Sequence, residues 1–382
     1  MSDGTIIPTT DAERGAGALA GVFPLGDCVA STLRPDVRAM HAYAVQPSAG
    51  LVKLDAMENP FMLPPALQRE LGRRLGAVPI NRYPTGSADV IAALARHIDL
   101  PAGCALMLGN GSDELISLLA MACDVPGAAI VAPVPGFVMY EMSARLQGLA
   151  FVGVPLTADF GLDEAAMLAA VALHRPVLTY LAYPNNPTAN LWDDAVIEHI
   201  VDVVGAQGRG FVVFDEAYQP FASRSWLQRM AVRPHVLVMR TLSKFGLAGV
   251  RVGYLAGAVA LIAEIDKVRP PYNVGALNAE ATLFALEHAD EFAAQAAVLR
   301  AERERLQHAL RGLPGAMPFP SEANMILVRV PDAAAAFAGM KARGVLVKNV
   351  SALHPLLKNC LRLTVGTPEE NTLMIDALKA SL

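Results

Sequence analysis

The stretch HVLVMRTLSKFGLAG, residues 235–249, starts as a buried strand and ends in a loop that holds Lys244 and two glycines. The whole chain of 382 residues has only seven lysines. A lysine ammonium normally stays in water, because burying it costs free energy unless it is paired or deprotonated. A lysine at the junction of a buried strand and a loop is therefore a candidate functional residue.

The sequence around this stretch alternates short apolar runs with amphipathic helical patterns. Near-continuous apolar runs separated by helices are typical of a parallel sheet that is covered on both faces. Strands are predicted at AAIVAPV (128–134), PVLTYLAY (176–183), GFVVF (210–214) and HVLVMR (235–240), and later at ANMILVRV (323–330), GVLVKNV (344–350) and CLRLTVG (360–366). The predicted fold class is α/β, with a large doubly wound, mostly parallel sheet domain and a smaller α+β domain.

Four segments are predicted along the chain. They are a loose N-terminal tail over 1–30, an arm with part of the small domain over 31–75, a large ligand-binding domain over 76–272 and a small C-terminal domain over 273–382. The tail is assigned from its Gly, Ala, Thr and Asp content and its lack of periodicity.

Composition limits the partners. Apolar residues make up 53% of the chain and charged residues 18%, so an extensive subunit interface is expected. A net charge of −5 provides no basic field for nucleic acid or an anionic membrane. No membrane-length apolar run or secretory leader pattern is present, which predicts a cytoplasmic protein. Neither the four cysteines nor the eight histidines show metal-ligand spacing, so no metal site is expected.

Polar side chains follow three of the predicted strands. Asn186 follows the 176–183 strand, Asp215 and Tyr218 follow the 210–214 strand, and Ser243 and Lys244 follow the 235–240 strand. Ligands of an open parallel sheet bind beyond the carboxyl ends of its strands. The intervals from Asn186 to Asp215 and from Asp215 to Lys244 are both 29 residues, about one strand-helix-strand unit. We expect these side chains to converge.

A phosphate site is predicted upstream. LGNGSDELISLL (108–119) places Gly111, Ser112 and Asp113 at the opening of a helix, where exposed N–H groups and the helix dipole attract anions. Arg251, in the glycine-containing GLAGVRVGY (246–254), could add a charge-assisted contact.

One ligand, pyridoxal phosphate, would use all of these features. Its aldehyde needs a lysine for a Schiff base, its ring nitrogen needs a carboxylate, and its phosphate needs an anion site. Lys244, Asp215 and the loop Gly111–Asp113 supply these groups, and Asn186 and Tyr218 could bond the phenolic oxygen. Each motif alone could be an ordinary turn or helix cap. Their order and spacing together favour the cofactor.

The motifs also carry a resemblance over roughly residues 30–382. YPNNPT (183–188), FDEAY (214–218), TLSKFGLAGVRVGY (241–254) and CLRLTVGTPEEN (360–371) resemble fold type I pyridoxal-phosphate aminotransferases, and among them the histidinol-phosphate aminotransferases. LDAMENPF (54–61), RYPTG (82–86) and GNGSDELI (109–116) are arranged as in those enzymes.

The resemblance implies roles for the cofactor-binding residues. Lys244 would be the Schiff-base lysine and the acid and base of the proton shift, and Asp215 the partner of the ring nitrogen. Asn186 and Tyr218 would bond the phenolic oxygen.

Further cofactor contacts are implied in the same way. Ser243 and Arg251 would join the Gly111–Asp113 backbone at the phosphate. Phe137, in PVPGFVMY (133–140), would stack on the ring, and Tyr83 would reach the phosphate from the neighbouring subunit.

The resemblance also implies a substrate pocket. Arg362 would bind the substrate's anion, with Asn59 and Tyr43 as further pocket residues. Met57 and Lys348 depart from the family, in which many members have Asn and a second Arg at those positions. A lysine cannot hold a phosphate bidentately, so substrate affinity is expected to differ while the reaction class does not.

The function implied is transfer of an amino group between glutamate or 2-oxoglutarate and imidazole-acetol phosphate or histidinol phosphate, by a homodimer with shared sites, in histidine biosynthesis. Three alternatives remain open at this point: an aromatic amino-acid transaminase, a pyridoxal-phosphate decarboxylase of a phospho-amino acid, and a non-enzymatic regulator that keeps the fold.

Overall fold

The computed structural model describes residues 25–40 and 46–382. The chain divides into residues up to Ala49 and residues from Gly50 onward, and each part is described by itself. In the first part, Leu25–Thr32 and Pro35–Ala39 are helices that bury no side chain. The predicted loose tail thus ends in a short helix, and its first 24 residues lie outside the described part of the chain.

Strands and helices alternate through most of the second part. The strands are β1 (Val52–Lys53), β2 (Cys104–Gly109), β3 (Ala129–Val134), β4 (Ala150–Pro155), β5 (Leu178–Ala182), β6 (Phe211–Asp215), β7 (Val236–Thr241), β8 (Gly253–Ala258), β9 (Met317–Pro318), β10 (Met325–Arg329), β11 (Val345–Leu346), β12 (Lys348–Asn349) and β13 (Cys360–Thr364). The α-helices, counting the two above as α1 and α2, are α3 (Pro65–Gly76), α4 (Ser87–His97), α5 (Ser112–Ala122), α6 (Val138–Gln147), α7 (Glu164–His174), α8 (Asp194–Ala206), α9 (Val259–Ile265), α10 (Ala276–Glu287), α11 (Ala289–Arg311), α12 (Ala333–Ala342) and α13 (Pro368–Lys379). None of the helices in the described ranges is long and apolar enough to cross a membrane.

The large sheet has seven strands in the order β2-β8-β7-β6-β5-β3-β4. The pairs from β4 to β7 are parallel, and β8 runs antiparallel to both β7 and β2. Every residue of β5 and β7 is buried, as the continuous apolar runs predict. The predicted α/β fold class is confirmed. Strands β2, β4 and β8 were not predicted, since β4 is a partly exposed edge and β8 contains Gly253 and Gly257.

The central strands explain the regular spacing of the predicted site residues. In the register of the sheet, Asp215 lies opposite Ala182 of β5 and Met239 of β7. The carboxyl ends of these three neighbouring strands therefore lie at one edge of the sheet, and α8 makes the crossover between β5 and β6. Asn186, Asp215 and Lys244 emerge side by side for this reason.

A smaller set of strands lies at the two ends of the second part. β12-β13-β10-β9 is an antiparallel sheet, and β1 pairs in parallel with β11, so an early segment joins the late ones. Helix α10, just after the predicted boundary at residue 272, packs against α3 and α4. The exact domain limits stay predictions.

A buried ion pair fixes the ends of β6 and β7. Arg240 donates to Glu216 through Nε and Nη2, at 2.9 and 2.8 Å, and Glu216 is only 1% exposed. Ser225 Oγ and the backbone N–H of Trp226 donate to the same carboxylate, at 2.9 and 2.5 Å. A buried charge is tolerated when an opposite charge and hydrogen bonds compensate it. This network therefore holds Glu216, the residue next to Asp215, in one position.

Candidate active site

A cavity of about 350 Å³ lies beyond the carboxyl ends of β5, β6 and β7. Residues from six separate segments of the sequence line it. The predicted site residues among them are Ser112, Asp113, Phe137, Asn186, Asp215, Tyr218, Ser243, Lys244 and Arg251. The fold thus brings together most of the residues that were singled out from the sequence.

Asp215, the last residue of β6, lines this cavity. Its Oδ2 accepts a hydrogen bond from the Tyr140 hydroxyl at 2.7 Å, and its Oδ1 accepts one from the Ala217 N–H at 3.1 Å. Burial raises the pKa of Asp215 to about 6, against the two hydrogen bonds that favour the carboxylate. The group therefore ionises close to neutral pH and can attract a proton on a bound ring.

Lys244 faces the same space from the loop after β7. Its Nζ donates to the carbonyl oxygen of Ala56 at 3.0 Å. Burial, and next the positive charge of Arg362, lower the pKa of Lys244 to about 8, while the negative charge of Glu58 acts in the opposite direction. A lysine with a lowered pKa has an appreciable unprotonated fraction near neutral pH, as a nucleophile or a base requires.

Tyr218 and Asn186 lie on the side of the cavity near Lys244. The Tyr218 ring is buried, 5.9 Å from Lys244 Nζ, and burial raises the pKa of its hydroxyl. Asn186 Oδ1 accepts from Arg362 Nη1 at 2.8 Å, which turns the Asn186 amide N–H₂ away from Arg362. Both side chains can therefore offer donors to an oxygen in the cavity.

Another group of residues lining the cavity forms an anion cradle. Helix α5 begins after Gly111 with no side chain capping its N-terminus, and Ser112 and Asp113 line the cavity there. Arg251 Nη1 donates to Ser243 Oγ at 3.4 Å, and Arg251 Nη2 lies 3.6 Å from the Asp113 carboxylate. The uncapped N–H groups and the guanidinium together favour a dianion.

Glycine is required at two points of this cradle. Gly111 has φ +81°, and a Cβ there would lie 2.6 Å from Arg251 Nη2. A Cβ on Gly253 would lie 2.8 Å from the backbone carbon of Gly111. Side chains at these positions would fill or displace the cradle, so the backbone is kept bare where an anion would approach.

The chemistry of these groups fits pyridoxal phosphate. Lys244 could hold the aldehyde, Asp215 the ring nitrogen, and the start of α5 with Arg251 and Ser243 the phosphate. Phe137, at the start of α6, lines the same cavity and could cover the ring.

Arg362 and Lys348 lie beside the cavity rather than in its wall. Arg362 Nη2 donates to the carbonyl oxygen of Asp55 at 2.8 Å, in addition to the bond from Nη1 to Asn186. Lys348 of β12 is directly opposite Arg362 of β13 in the sheet register. Directly opposed residues project from the same face of a sheet, so the two cations are neighbours.

Two further predicted residues, Asn59 and Tyr83, do not line the cavity of this chain. Asn59 uses its amide elsewhere, donating to Gln295 Oε1 at 2.8 Å and accepting from the Phe61 N–H at 2.9 Å. Tyr83 is 76% exposed and stacks on Tyr272, with ring centroids 4.5 Å apart. Tyr43 lies outside the described residues. The roles assigned to the three stay predictions.

The cavity residues that the sequence analysis does not predict include Ala56, Glu58 and Tyr140. Ala56 contributes a backbone carbonyl, which leaves no signal in the sequence. Glu58 lies within the LDAMENPF motif, next to the predicted residue Asn59. Tyr140 follows Phe137, the residue before α6, by three positions, and the two rings pack edge to face with centroids 5.7 Å apart. That aromatic pair was the available signal.

Comparison with known proteins assigns the class. The family model for "Aminotransferase class I and II" matches residues 49–378. The chain belongs to this family and is a pyridoxal-phosphate-dependent aminotransferase, which confirms the family and the cofactor predicted from the sequence.

Individual relatives show which aminotransferases this chain is most similar to among those compared below. A histidinol-phosphate aminotransferase of Methylibium petroleiphilum is 76% identical, over 94% of this chain and 97% of the relative. One of Paracidovorax citrulli is 68% identical, over 92% of this chain and 97% of the relative. The crystal structure of the Sinorhizobium meliloti histidinol-phosphate aminotransferase in complex with pyridoxal-5'-phosphate has a TM-score of 0.75 and 26% identity, and the match covers 91% of this chain and 97% of that one.

The raised pKa of Asp215 predicts that this residue destabilises the cofactor-free protein at neutral pH. The unfolded carboxyl ionises near pH 4 and the folded one at about 6, so folding stability is lost as the pH rises through this window. Asp215→Asn cannot ionise. We expect it to raise the free energy of unfolding by up to about 3 kcal/mol at pH 7.5 and to change it little at pH 4, with most transaminase activity lost.

The free energy of unfolding is measured by denaturant unfolding of the cofactor-free protein at pH 7.5 and at pH 4. Glu264→Gln, which removes an exposed carboxylate, is the control and should show no pH-dependent gain. Equal stability of Asp215→Asn and the parent at pH 7.5 would contradict the assigned burial cost.

Proposed function

We propose that this aminotransferase moves an amino group between glutamate and imidazole-acetol phosphate, which forms histidinol phosphate for histidine biosynthesis. The observation that carries the proposal is the high identity, over nearly the whole chain, to relatives named histidinol-phosphate aminotransferase. The cationic pair Arg362 and Lys348 beside the cavity supports a substrate that carries an anion.

The proposed work of the chain's own residues is proton movement and charge placement. Pyridoxal phosphate, when bound, supplies a reactive aldehyde carbon and an electron-accepting ring. Lys244 Nζ accepts the proton from the substrate's amine-bearing carbon and returns it to the cofactor side, and its pKa of about 8 suits both directions. The Asp215 carboxylate holds a proton on the ring nitrogen, and Asn186 and Tyr218 donate toward the ring's phenolic oxygen.

Arg362 is the proposed receptor for the substrate's anion. Its guanidinium is positioned by Asn186 and by the Asp55 carbonyl, so it is already oriented toward the cavity edge. Lys348 has no ion-pair partner within the described ranges, and two cations directly opposed in a sheet repel each other. A phosphate dianion near Arg362 would relieve that repulsion, whereas a single carboxylate would relieve it less.

We further infer that the enzyme works as a homodimer with small-molecule substrates. Tyr83 and Tyr272 present a stacked aromatic pair that is largely exposed in one chain. Exposed aromatic pairs are suited to an interface. Within a dimer, Tyr83 would contribute its hydroxyl to the phosphate cradle of the neighbouring subunit. The cytoplasmic location stays a prediction.

Half-reactions test the substrate assignment. The cofactor-loaded enzyme is mixed separately with histidinol phosphate, glutamate, phenylalanine and threonine phosphate, and the cofactor's conversion to its aminated form is followed by absorbance. We expect rapid conversion by the first two compounds. Lys244→Ala, the control, should bind the cofactor without turning over, because the proton-moving amine is absent. A preference for phenylalanine, or carbon dioxide release from threonine phosphate, would contradict the proposal.

Substitution of the two cations tests the anion receptor. Arg362→Ala should lower kcat/KM for both histidinol phosphate and glutamate by roughly ten- to a hundredfold, the effect of losing a charge-assisted contact of about 1.5–3 kcal/mol. Lys348→Ala should affect histidinol phosphate more, because a dianion gains more from a second cation. Lys358→Ala, an exposed lysine nearby in sequence, is the control and should match the parent. If Arg362→Ala had the same kcat/KM for histidinol phosphate as the parent enzyme, the substrate's phosphate would have to bind at another place.

Subunit mixing tests the shared site. Combining Lys244→Ala with Tyr83→Ala chains should produce heterodimers with one site free of both lesions, so activity should exceed that of either parent variant. Mixing Lys244→Ala with Asp215→Asn is the control: both lesions act within their own chain's site, so no intact site forms. No gain in the first mixture, with heterodimers demonstrated by mass, would argue against Tyr83 crossing between subunits.

A further inference from the structure

A buried tyrosine contacts the carboxylate that is assigned to the cofactor ring. The Tyr140 hydroxyl donates to Asp215 Oδ2 at 2.7 Å, and the two side chains are 2% and 5% exposed. We propose that Tyr140 is a positioning residue that keeps the Asp215 carboxylate ionised and turned toward the cavity, and so governs how strongly Asp215 holds the proton of the bound ring nitrogen. This inference rests on the role proposed above for Asp215.

The position of Tyr140 is fixed by its aromatic neighbours. Its ring stacks on Tyr180 with centroids 4.3 Å apart and an interplanar angle of 7°, and Phe137 packs edge-on at 5.7 Å. Tyr140 lies on the first turn of α6, beside the cavity that Asp215 lines. A ring held on two sides cannot swing its hydroxyl elsewhere, so the bond to Asp215 is geometrically enforced.

The hydrogen-bond pattern leaves Asp215 able to bind a ring proton. Tyr140 occupies Oδ2 and the Ala217 N–H occupies Oδ1, so each carboxylate oxygen keeps one further acceptor position. Burial, and next the negative charge of Asp215, raise the pKa of the Tyr140 hydroxyl, so the proton of this pair stays on the phenol oxygen. Tyr140 therefore acts as a donor and not as a base.

Other charged groups around Asp215 work against its ionisation. The neighbouring carboxylates Asp113 and Glu216 both raise the pKa of Asp215 in addition to burial. The titratable and charged groups that face it are Asp113, Tyr140, Tyr180, Glu216 and Tyr218. Of the side chains in the described ranges, Tyr140 alone donates a hydrogen bond to this carboxylate. Its loss would leave only the Ala217 N–H to stabilise the charge.

The stacked partner provides a matched control. Tyr180 is fully buried, and its hydroxyl has no hydrogen-bond partner among the described residues. Tyr140→Phe and Tyr180→Phe each remove one buried hydroxyl from the same stacked pair and retain the rings. Only the first removes a donor to Asp215, so a difference between the two variants isolates that bond from packing.

The test measures Asp215 directly and through catalysis. In the cofactor-free protein, the Asp215 carboxyl is titrated by difference infrared spectroscopy against Asp215→Asn. In the loaded enzyme, the pH dependence of kcat and the cofactor's dissociation constant are measured. We expect Tyr140→Phe to raise the Asp215 pKa by about one unit, to move the acid limb of kcat upward equally and to lower kcat about tenfold, with KM changed less than twofold. Tyr180→Phe should match the parent.

Two further variants keep the proposal open to refutation. In the Asp215→Asn background, Tyr140→Phe should cause no additional loss of kcat, because it acts through Asp215. If Tyr140→Phe does not fold, 3-fluorotyrosine at position 140, a more acidic donor, should shift the Asp215 titration to lower pH. An unchanged titration and acid limb, equal effects of Tyr180→Phe, or full additivity with Asp215→Asn would each overturn the proposal.

These outcomes are separable from a failure of the proposed function. Retained activity of Asp215→Asn would show that Asp215 does not serve the ring, while the cofactor-free titration would still report the effect of Tyr140 on Asp215. A different amino donor or phosphate substrate would leave both readouts unchanged.

Discussion

Two opposite charges placed out of water define this enzyme's site. Burial moves the pKa of Asp215 up to about 6 and that of Lys244 down to about 8, so both groups change protonation near neutral pH. An exposed aspartate or lysine would ionise far from that range and would be a poor partner for ring or proton chemistry. The surrounding structure has to exclude water from these groups and still provide their hydrogen-bond partners.

Backbone and polar groups packed around the end of the large sheet meet that requirement. The Ala56 carbonyl oxygen accepts a hydrogen bond from the Lys244 amine, and the Ala217 N–H and the Tyr140 hydroxyl donate hydrogen bonds to the Asp215 carboxylate. Beside them, the buried Glu216–Arg240 pair links the ends of β6 and β7. Such a pair contributes little net stability relative to apolar packing, but breaking it is costly. It therefore restrains the two strand ends to one arrangement.

The smaller sheet is joined to this site through Arg362. The guanidinium bonds to Asn186 beyond β5 and to the Asp55 carbonyl near β1, so residues far apart in sequence meet at one cation. An anion at Arg362 would compete for the donors that orient Asn186. With the roles proposed for Arg362 and Asn186, substrate binding and the hydrogen bonding of the cofactor's phenolic oxygen would be physically adjacent.

The sequence by itself determined the fold class, the family and the cofactor, because these depend on local patterns. Continuous apolar runs specify buried parallel strands, and polar residues at or shortly after the ends of β5, β6 and β7 have to meet at one sheet edge. Only the tertiary structure decided which hydrogen bonds the site residues make. A hydroxyl from α6 donates to Asp215, the carbonyl oxygen of residue 56 accepts from Lys244, and Asn59 donates to Gln295. Those contacts join segments separated by 75 to 236 residues. Burial and hydrogen-bond geometry arise only when such segments pack, so no local pattern encodes them.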